Sequence, residues 1–339
     1  MTNNPLLSLE KPIGFGFMNA SWPGSPVLAG GAARESFIGA LHTAMDAGVR
    51  LFDTADIYAP SWDAMGHNEV LLAEAVASWA GSPEAKAELI LATKGGITRS
   101  KGEVWAKNSS FDYLMRAAEK SATNLGVAEI PLWQQHRLDT NQTLAQQLKV
   151  LKKFRAEAPI RWLGVSNYSA QQLRAALDTV GGPAEGGIIS VQNQLSPAYR
   201  QQLDVLEVCQ KHGLAFLPWS PMRGVRPSDS AMSVHTRFTS VANEAGTDAF
   251  AIAQAWLRSL SPNIVPLPGV TRVESVLSAL AAFDLRLTDA QKASLTNLAA
   301  SLPLDDELVR DQPKPAGTSG SDLAVGLLID GVLGVLGNI

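Results

Sequence analysis

Apolar and polar positions alternate along the chain in a regular way. Each short apolar run has the length of one buried strand. It is followed by a loop and by a segment whose apolar residues recur every three or four positions, as in an amphipathic helix. Strands are predicted at residues 13–17, 49–52, 89–93, 130–135, 161–165, 188–192, 215–219 and 264–267. Helices are predicted at residues 34–47, 68–79, 110–125, 144–157, 170–179, 201–211, 249–260 and 273–280, and another begins near Thr288.

This alternation favours parallel strands joined by right-handed crossovers. A chain of 339 residues suits the α/β fold of a closed (β/α)8 TIM barrel, which needs about 250 residues plus insertions. We therefore predict a single barrel domain over residues 1–310, with long insertions at residues 97–109 and 221–248. A doubly wound sheet is the alternative. It is disfavoured because residues 14–19, after the first strand, lack the third glycine of a dinucleotide-binding fingerprint.

The end of the chain differs from the barrel in composition. Residues 311–322 are rich in Pro, Gly and Ser and resemble a linker, and residues 323–339 form an apolar tail. The tail is short, glycine-rich and interrupted by Asp330, so a membrane contact is disfavoured. We expect it to pack on the barrel or on a partner subunit, which makes self-association through the tail possible; a loosely held surface tail is the other alternative.

Composition and charge narrow the function. Hydrophobic residues make up 46% of the chain and charged residues 18%, which predicts a folded protein with a large core. The net charge of −4 gives no electrostatic reason to expect a nucleic-acid partner. The single cysteine, Cys209, excludes an intrachain disulfide and is interpreted as a buried thiol. The first residues lack the pattern of a secretory signal, so we expect a cytoplasmic protein.

Ionisable residues follow three consecutive predicted strands. Asp53 ends the second strand with Tyr58 in the loop beyond it, Lys94 follows the third, and His136 follows the fourth. Each has an ordinary explanation alone, as a loop cap, a solvated charge or a hydrogen-bonded core histidine. In a parallel barrel, however, strand ends converge on one mouth, where active sites lie. The four residues therefore predict one shared site.

The chemistry of such a set is proton donation. An ammonium beside a phenol favours the phenolate, so Lys94 is expected to lower the pKa of Tyr58. Asp53 would pair with Lys94, and His136 would offer a hydrogen bond to an incoming oxygen. A site of this kind protonates a developing alkoxide, as carbonyl reduction requires.

Several motifs together resemble the aldo-keto reductase family over about residues 12–300. They are GVRLFDTADIY at 48–58, GHNE at 66–69, TK at 93–94, QHRLD at 135–139, GVSNY at 164–168, VQ at 191–192, PWSPMRG at 218–224 and LPGVTR at 267–272. The resemblance implies reduction of a small aldehyde or ketone with NADPH and no metal. Tyr58 would be the general acid, tuned by Lys94 and Asp53, with His136 orienting the carbonyl.

The resemblance also implies a cofactor site, with Arg272 at the adenosine 2′-phosphate and Trp219 stacking on the nicotinamide. The full implied set is Gly16, Met18, Ser166, Asn167, Gln192, Trp219, Ser220, Pro221, Met222, Gly224, Gly269 and Arg272. One departure concerns the adenine, because Ser278 and Ala279 replace the usual Glu and Asn. NADH therefore remains possible beside NADPH, and Arg272 as an ordinary surface residue is the alternative to a phosphate ligand.

The sequence leaves the roles of three tryptophans undecided and allows two alternative functions. Trp22, Trp62 and Trp105 lie in loops after the first three strands, where they would either wall a substrate pocket or pack loops onto helices. The same barrel would also suit a cofactor-binding regulatory or sensor protein with little turnover. A lyase that forms a Schiff base through Lys94 is the third possibility, and it requires a depressed lysine pKa.

Overall fold

The computed structural model describes residues 4–222 and 232–300. The proposed cofactor residue Gly224, the last part of the barrel domain (residues 301–310), the linker-like segment (311–322) and the apolar tail (323–339) lie outside these residues. Within the described ranges, no helix is both long and apolar enough to cross a bilayer.

Seven parallel strands form one curled sheet. In chain order these strands are β1 (Gly14–Gly16), β2 (Leu51–Asp53), β3 (Ile90–Gly95), β6 (Ile130–Gln135), β7 (Ile160–Ser166), β8 (Ile188–Gln194) and β9 (Ala215–Trp219), and they are neighbours in that order. Asp53 is in register with Gly16 and Ala92, and Lys94 with Gln134. The carboxyl ends of the strands therefore meet at one edge, as the predicted barrel requires.

Residues 263–270 close the barrel between its first and last strands. On one side, the Gly14 and Gly16 amides donate to Pro266 and Pro268 at 2.9 and 3.1 Å. On the other, the Val265 amide donates to Phe216 at 2.9 Å. The predicted strand at 264–267 appears only as isolated bridges, because proline has no amide hydrogen and interrupts the ladder. The predicted (β/α)8 architecture is confirmed.

Helices surround the strands close to the predicted positions. They are α1 (Gly31–Asp46), α2 (His67–Ser78), α3 (Pro83–Ala87), α4 (Phe111–Leu125), α5 (Leu144–Glu157), α6 (Ala170–Val180), α7 (Leu203–His212), α8 (Met232–Ala245), α9 (Ala249–Leu260), α10 (Val273–Asp284) and α11 (Asp289–Ala300). In α5, Leu148, Leu151 and Phe154 are buried, as its apolar periodicity predicts.

The two insertions contain regular structure that the apolar pattern does not indicate. The first holds an antiparallel hairpin of β4 (Ile97–Ser100) and β5 (Val104–Lys107), and the second holds α8. The hairpin strands are four residues each, too short for a clear alternation, and the turn depends on Gly102 in a left-handed conformation (φ 81°). The hairpin follows the carboxyl end of β3 and therefore lies on the mouth side of the barrel.

Two apolar layers hold the fold together. One fills the barrel interior, where residues such as Leu51, Ala92 and Leu132 meet Leu6 from the N-terminal segment. The other lies between the strands and the helices and includes Cys209, which is fully buried. Burial raises the pKa of the Cys209 thiol, so its interpretation as a packed core residue is confirmed.

Candidate active site

Lys94 lies at the centre of the mouth and is completely buried. Its ammonium donates to Asp53 Oδ2 at 2.6 Å, to the Thr54 carbonyl at 2.8 Å and to Tyr58 Oη at 3.3 Å. These three bonds use all three donors of the group. Burial alone would lower the pKa of Lys94, but Asp53 and Tyr58 outweigh it and the pKa lies above its ordinary value. The ammonium therefore stays charged at neutral pH.

Asp53 is held by more than its lysine. While Oδ2 faces Lys94, Oδ1 accepts from Gln192 Nε2 at 2.8 Å and from Gln134 Nε2 at 3.2 Å. Asp53 as a whole is 5% exposed, so these donors replace the water that burial removes. Gln134 was not among the predicted site residues, because it lies inside an apolar run and only strand register shows that it faces the interior.

Tyr58 reaches the same group from the loop after β2. Its hydroxyl accepts from Lys94, and the ammonium lies 4.9 Å from the ring centroid. The prediction that the pKa of Tyr58 is lowered is wrong for the net shift. Burial raises the pKa of Tyr58 above its ordinary value, and Lys94 opposes this shift only in part. The phenol is consequently protonated across the neutral range.

His136 completes the set of four. Its ring meets the Tyr58 ring edge-on, with centroids 5.8 Å apart. Burial, with the positive charges of Lys94 and Arg137, holds the pKa of His136 well below its ordinary value. The imidazole is therefore neutral at neutral pH. The structure thus brings together Asp53, Tyr58, Lys94 and His136, as the order of strand ends predicts.

The loop that carries Tyr58 is anchored by the start of α2. The Thr54 hydroxyl donates to Asn68 at 2.7 Å, and the Asn68 amide donates to the Phe17 carbonyl and to Ser21 at 3.0 and 2.7 Å. The Gly66 amide donates to the Asp56 carbonyl at 2.7 Å. These buried bonds tie the loop after β2 to the loop after β1, which fixes the position of the tyrosine.

An aromatic ring surrounded by amides and hydroxyls lies beside this set. The Trp219 indole donates to Asn167 Oδ1 at 3.2 Å, the Asn167 amide donates to Ser166 at 3.0 Å, and Ser166 donates to the Gln192 carbonyl at 2.7 Å. Asn167 and Ser220 have left-handed backbones (φ 61° and 49°), which is uncommon outside glycine and concentrates at functional sites. This group suits a flat ring that bears a carboxamide.

A second part of the mouth, where β1 meets the closing segment 263–270, is built from bare backbone. Gly16 and Gly269 are bridged to each other, and an added Cβ on either would meet no atom within 4 Å. Met18 follows on the same loop and is half-buried, as is Met222, while Pro221 is buried. A backbone without side chains permits the close approach of a diphosphate.

Arg272 is the N-cap residue of α10 and is exposed. Within the described residues its side chain forms no hydrogen bond or ion pair. Ser278 donates to Asp248 Oδ2 at 2.7 Å, and Ala279 is buried in the core. Ser278 and Ala279 therefore offer no side-chain carboxylate or amide to an adenine.

The three tryptophans have different surroundings. Trp22 and Trp105 lie with ring centroids 6.3 Å apart, and the Arg99 guanidinium lies 4.8 Å from the Trp105 ring. Trp105 also packs against a small apolar cluster of Ala55, Ile57 and Ile97, against which Tyr58 packs as well. Trp62 is separate from this pair in these contacts and is 37% exposed. Trp105 and Trp22 therefore form one aromatic pair, and Trp105 shares an apolar cluster with Tyr58.

The sequence profile of the aldo/keto reductase family matches residues 12–300. The chain belongs to this family. An oxidoreductase of Schizosaccharomyces pombe without a characterised reaction is 28% identical over 84% of this chain and 85% of its own length. A 6-dehydroglucose reductase of Novosphingobium aromaticivorans is 31% identical over 73% of this chain and 80% of its own length.

The fold agrees with that of solved aldo-keto reductases. An aldo-keto reductase from Klebsiella pneumoniae, crystallised in complex with NADPH, superimposes with a TM-score of 0.67. The alignment covers 86% of this chain and 91% of that chain at 23% identity. The resemblance drawn from the motifs is confirmed, and this aldo-keto reductase is an oxidoreductase.

Proposed function

We propose that the protein reduces an aldehyde or ketone to an alcohol with NADPH, and that Tyr58 is the general acid. The observation that carries this proposal is the buried chain of contacts from Asp53 through Lys94 to Tyr58, which ends at the mouth of the barrel. A protonated phenol beside a permanent ammonium is suited to give a proton to an oxygen that gains negative charge.

Each side chain of the set has its own role in the proton transfer. Tyr58 donates its hydroxyl proton to the carbonyl oxygen, and Lys94 stabilises the phenolate that remains. Asp53 holds the ammonium in place and keeps it charged. His136, neutral because of its surroundings, donates a hydrogen bond to the same oxygen without competing as an acid. When bound, NADPH supplies the hydride for the carbonyl carbon.

The residues present fit a nicotinamide dinucleotide. Trp219, Asn167 and Ser166 offer a stacking surface and amide partners at one end, and Gly16 and Gly269 leave room for phosphates at the other. The solved relative in complex with NADPH supports the same choice. Arg272 is placed at the start of a helix, and its guanidinium has no partner among residues 4–222 and 232–300, which suits a 2′-phosphate.

The NADPH preference is tested by Arg272→Ala. We expect the KM for NADPH to rise roughly tenfold while the KM for NADH stays unchanged, because the charge-assisted bonds to the 2′-phosphate are lost. Arg286→Ala, at the other end of α10, is the matched control and should change neither value. Equal effects of Arg272→Ala on the KM values for both cofactors would contradict the hypothesis that Arg272 binds the 2′-phosphate.

The substrate is proposed to be a small carbonyl compound that contacts the surface formed by Trp22 and Trp105. The similarity to a 6-dehydroglucose reductase makes oxidised sugars a reasonable first set of substrates. Exchange of Trp105 for Ala should raise the KM for the carbonyl substrate far more than that for NADPH. Trp62→Ala, at an exposed position outside the Trp22–Trp105 pair, is the control variant.

The reaction itself is tested by following NADPH oxidation with generic aldehydes. We expect turnover by the wild type and its loss in Tyr58→Phe. Absence of turnover in both would favour the regulatory barrel. The Schiff-base alternative predicts a stable Lys94 adduct after borohydride treatment with a carbonyl compound, which the raised lysine pKa disfavours.

A further inference from the structure

Gln134 lies in the same buried set as the proposed proton donor, although no role follows for it from the motifs. It stands on β6 in register with Lys94 on β3, and it is completely buried. Its amide donates to Asp53 Oδ1 at 3.2 Å, beside the bond from Gln192 at 2.8 Å. The two amides therefore hold one oxygen of Asp53 while Lys94 holds the other.

The orientation of the Gln134 amide is set by Asp53. Within the described residues, Gln134 Oε1 is buried and has no hydrogen-bond partner. An amide with an unsatisfied buried oxygen is costly, and turning it over would place that oxygen against a carboxylate. Among the residues that the structure describes, the bond to Asp53 is thus the one polar contact of this side chain.

The neighbouring strand leaves space for this arrangement. Gly164 on β7 is in register with Gln134, and a Cβ there would lie 2.9 Å from Gln134 Cγ. The same Cβ would come still closer to Ser190 Oγ, so any larger residue would displace the side chains of both Ser190 and Gln134. The absent side chain on β7 and the amide on β6 therefore act together to bring a donor to Asp53.

We propose that Gln134 is a positioning residue of the proton-donating set: it holds the Asp53 carboxylate with Oδ2 towards Lys94 and takes up part of the charge on Oδ1. Asp53 then neutralises less of the ammonium charge, and more of that charge stabilises the Tyr58 phenolate. This role deepens the proposed function and rests on it only where turnover is measured.

Gln134→Met removes the donor and keeps the length of the side chain. The matched control is Gln135→Met, on the same strand and equally buried. Gln135 donates to Ser109 at 3.0 Å and accepts from Tyr168 at 2.6 Å, but it does not contact Asp53. Gln134→Asn, which shortens the side chain by one methylene, is a second variant in case Gln134→Met does not fold.

The first readout is the ionisation of Tyr58, which needs no turnover. Tyrosinate absorbance is measured at one alkaline pH at which circular dichroism shows every variant folded. The part due to Tyr58 is obtained by subtracting the same variant with Tyr58→Phe. The charged or titratable groups around the phenol, unchanged in all these variants, are Asp53, Lys94, His136 and Arg137.

We expect a smaller ionised fraction of Tyr58 in Gln134→Met and Gln134→Asn than in the wild type, and no change in Gln135→Met. In turnover, the Gln134 variants should lose roughly tenfold in kcat with unchanged KM values. An ionised fraction that is unchanged or larger in the Gln134 variants, or equally reduced in Gln135→Met, overturns the inference. Failure of the proposed function is distinct, since it would show as an inactive wild type.

Discussion

Asp53, which faces the barrel interior, and Asp56, which borders a cavity beside α4, are buried acids three residues apart in different environments. On the inner side, Asp53 accepts from Lys94, Gln134 and Gln192. On the outer side, Asp56 is only 7% exposed, and its Oδ1 has no partner within the described residues. Burial, with the negative charge of Glu69, raises the pKa of Asp56 well above its ordinary value.

The two acids therefore differ in how many partners replace the water that burial removes. Glu69 lies beside Asp56 and is intermediate, since it accepts from Thr93 at 2.6 Å and from Asn124 at 2.8 Å, yet burial still raises its pKa. Asp56 borders a cavity of about 230 Å³ that is lined by Met65 and Gly66, just before α2, and by residues of α4. The inner acid thus has a cation and two amides as partners, whereas burial raises the pKa of both outer acids.

The largest effect is expected from Lys94→Met. The change leaves Asp53 as a buried charge without its cation, which should cost about 3–5 kcal/mol in the free energy of unfolding. It should also lower kcat by roughly a thousandfold, because the developing charge loses its fixed partner. Urea unfolding and steady-state kinetics measure the two effects.

A double variant separates stability from activity. Asp53→Asn combined with Lys94→Met removes both charges and should recover most of the lost stability, but none of the lost kcat. Recovery of activity in the double variant would mean that Lys94 acts only by satisfying Asp53.

Asp53→Asn alone should have a smaller effect. The ammonium keeps its bonds to the Thr54 carbonyl and Tyr58 but loses the group that holds it charged. We expect kcat to fall roughly tenfold to a hundredfold, about 1.4–2.7 kcal/mol, with little change in the KM for NADPH. A KM effect larger than the kcat effect would place Asp53 in cofactor binding instead.

The smallest effect, and one of opposite sign, is expected from Asp56→Asn. An acid whose pKa is raised by folding destabilises the protein at pH values above its ordinary value of 3.8, where the unfolded chain ionises first. The variant should therefore be more stable than the wild type at about pH 8, by roughly 1–2 kcal/mol, and the gain should shrink towards pH 4. Thermal unfolding at both pH values measures it, and kcat should not change.

The four proposed catalytic residues could be predicted from the sequence for a physical reason. Parallel strands bring their carboxyl ends to one edge, so the order of strand ends already groups Asp53, Lys94 and His136. The helices were accessible because their buried faces repeat with the helical period. Neither argument needs long-range contacts.

Other features depend on tertiary structure. The direction of the Tyr58 pKa follows from burial, which no local pattern reports. Gln134 was missed because only strand register places it against Asp53. The apolar pattern predicts a strand in the closing segment at 263–270, but Pro266 and Pro268 interrupt its hydrogen-bond ladder. The strands of the β4–β5 hairpin are too short to show an alternation of apolar and polar residues.

The central claim is that the Asp53–Lys94–Tyr58 set delivers a proton while a carbonyl carbon accepts hydride. The most direct measurement uses NADPH deuterated at the transferable position with an aldehyde substrate. The account predicts an alcohol with one deuterium on the former carbonyl carbon from the wild type, and none formed by Tyr58→Phe. An unlabelled alcohol, or labelled alcohol formed at the same rate by Tyr58→Phe, would contradict it.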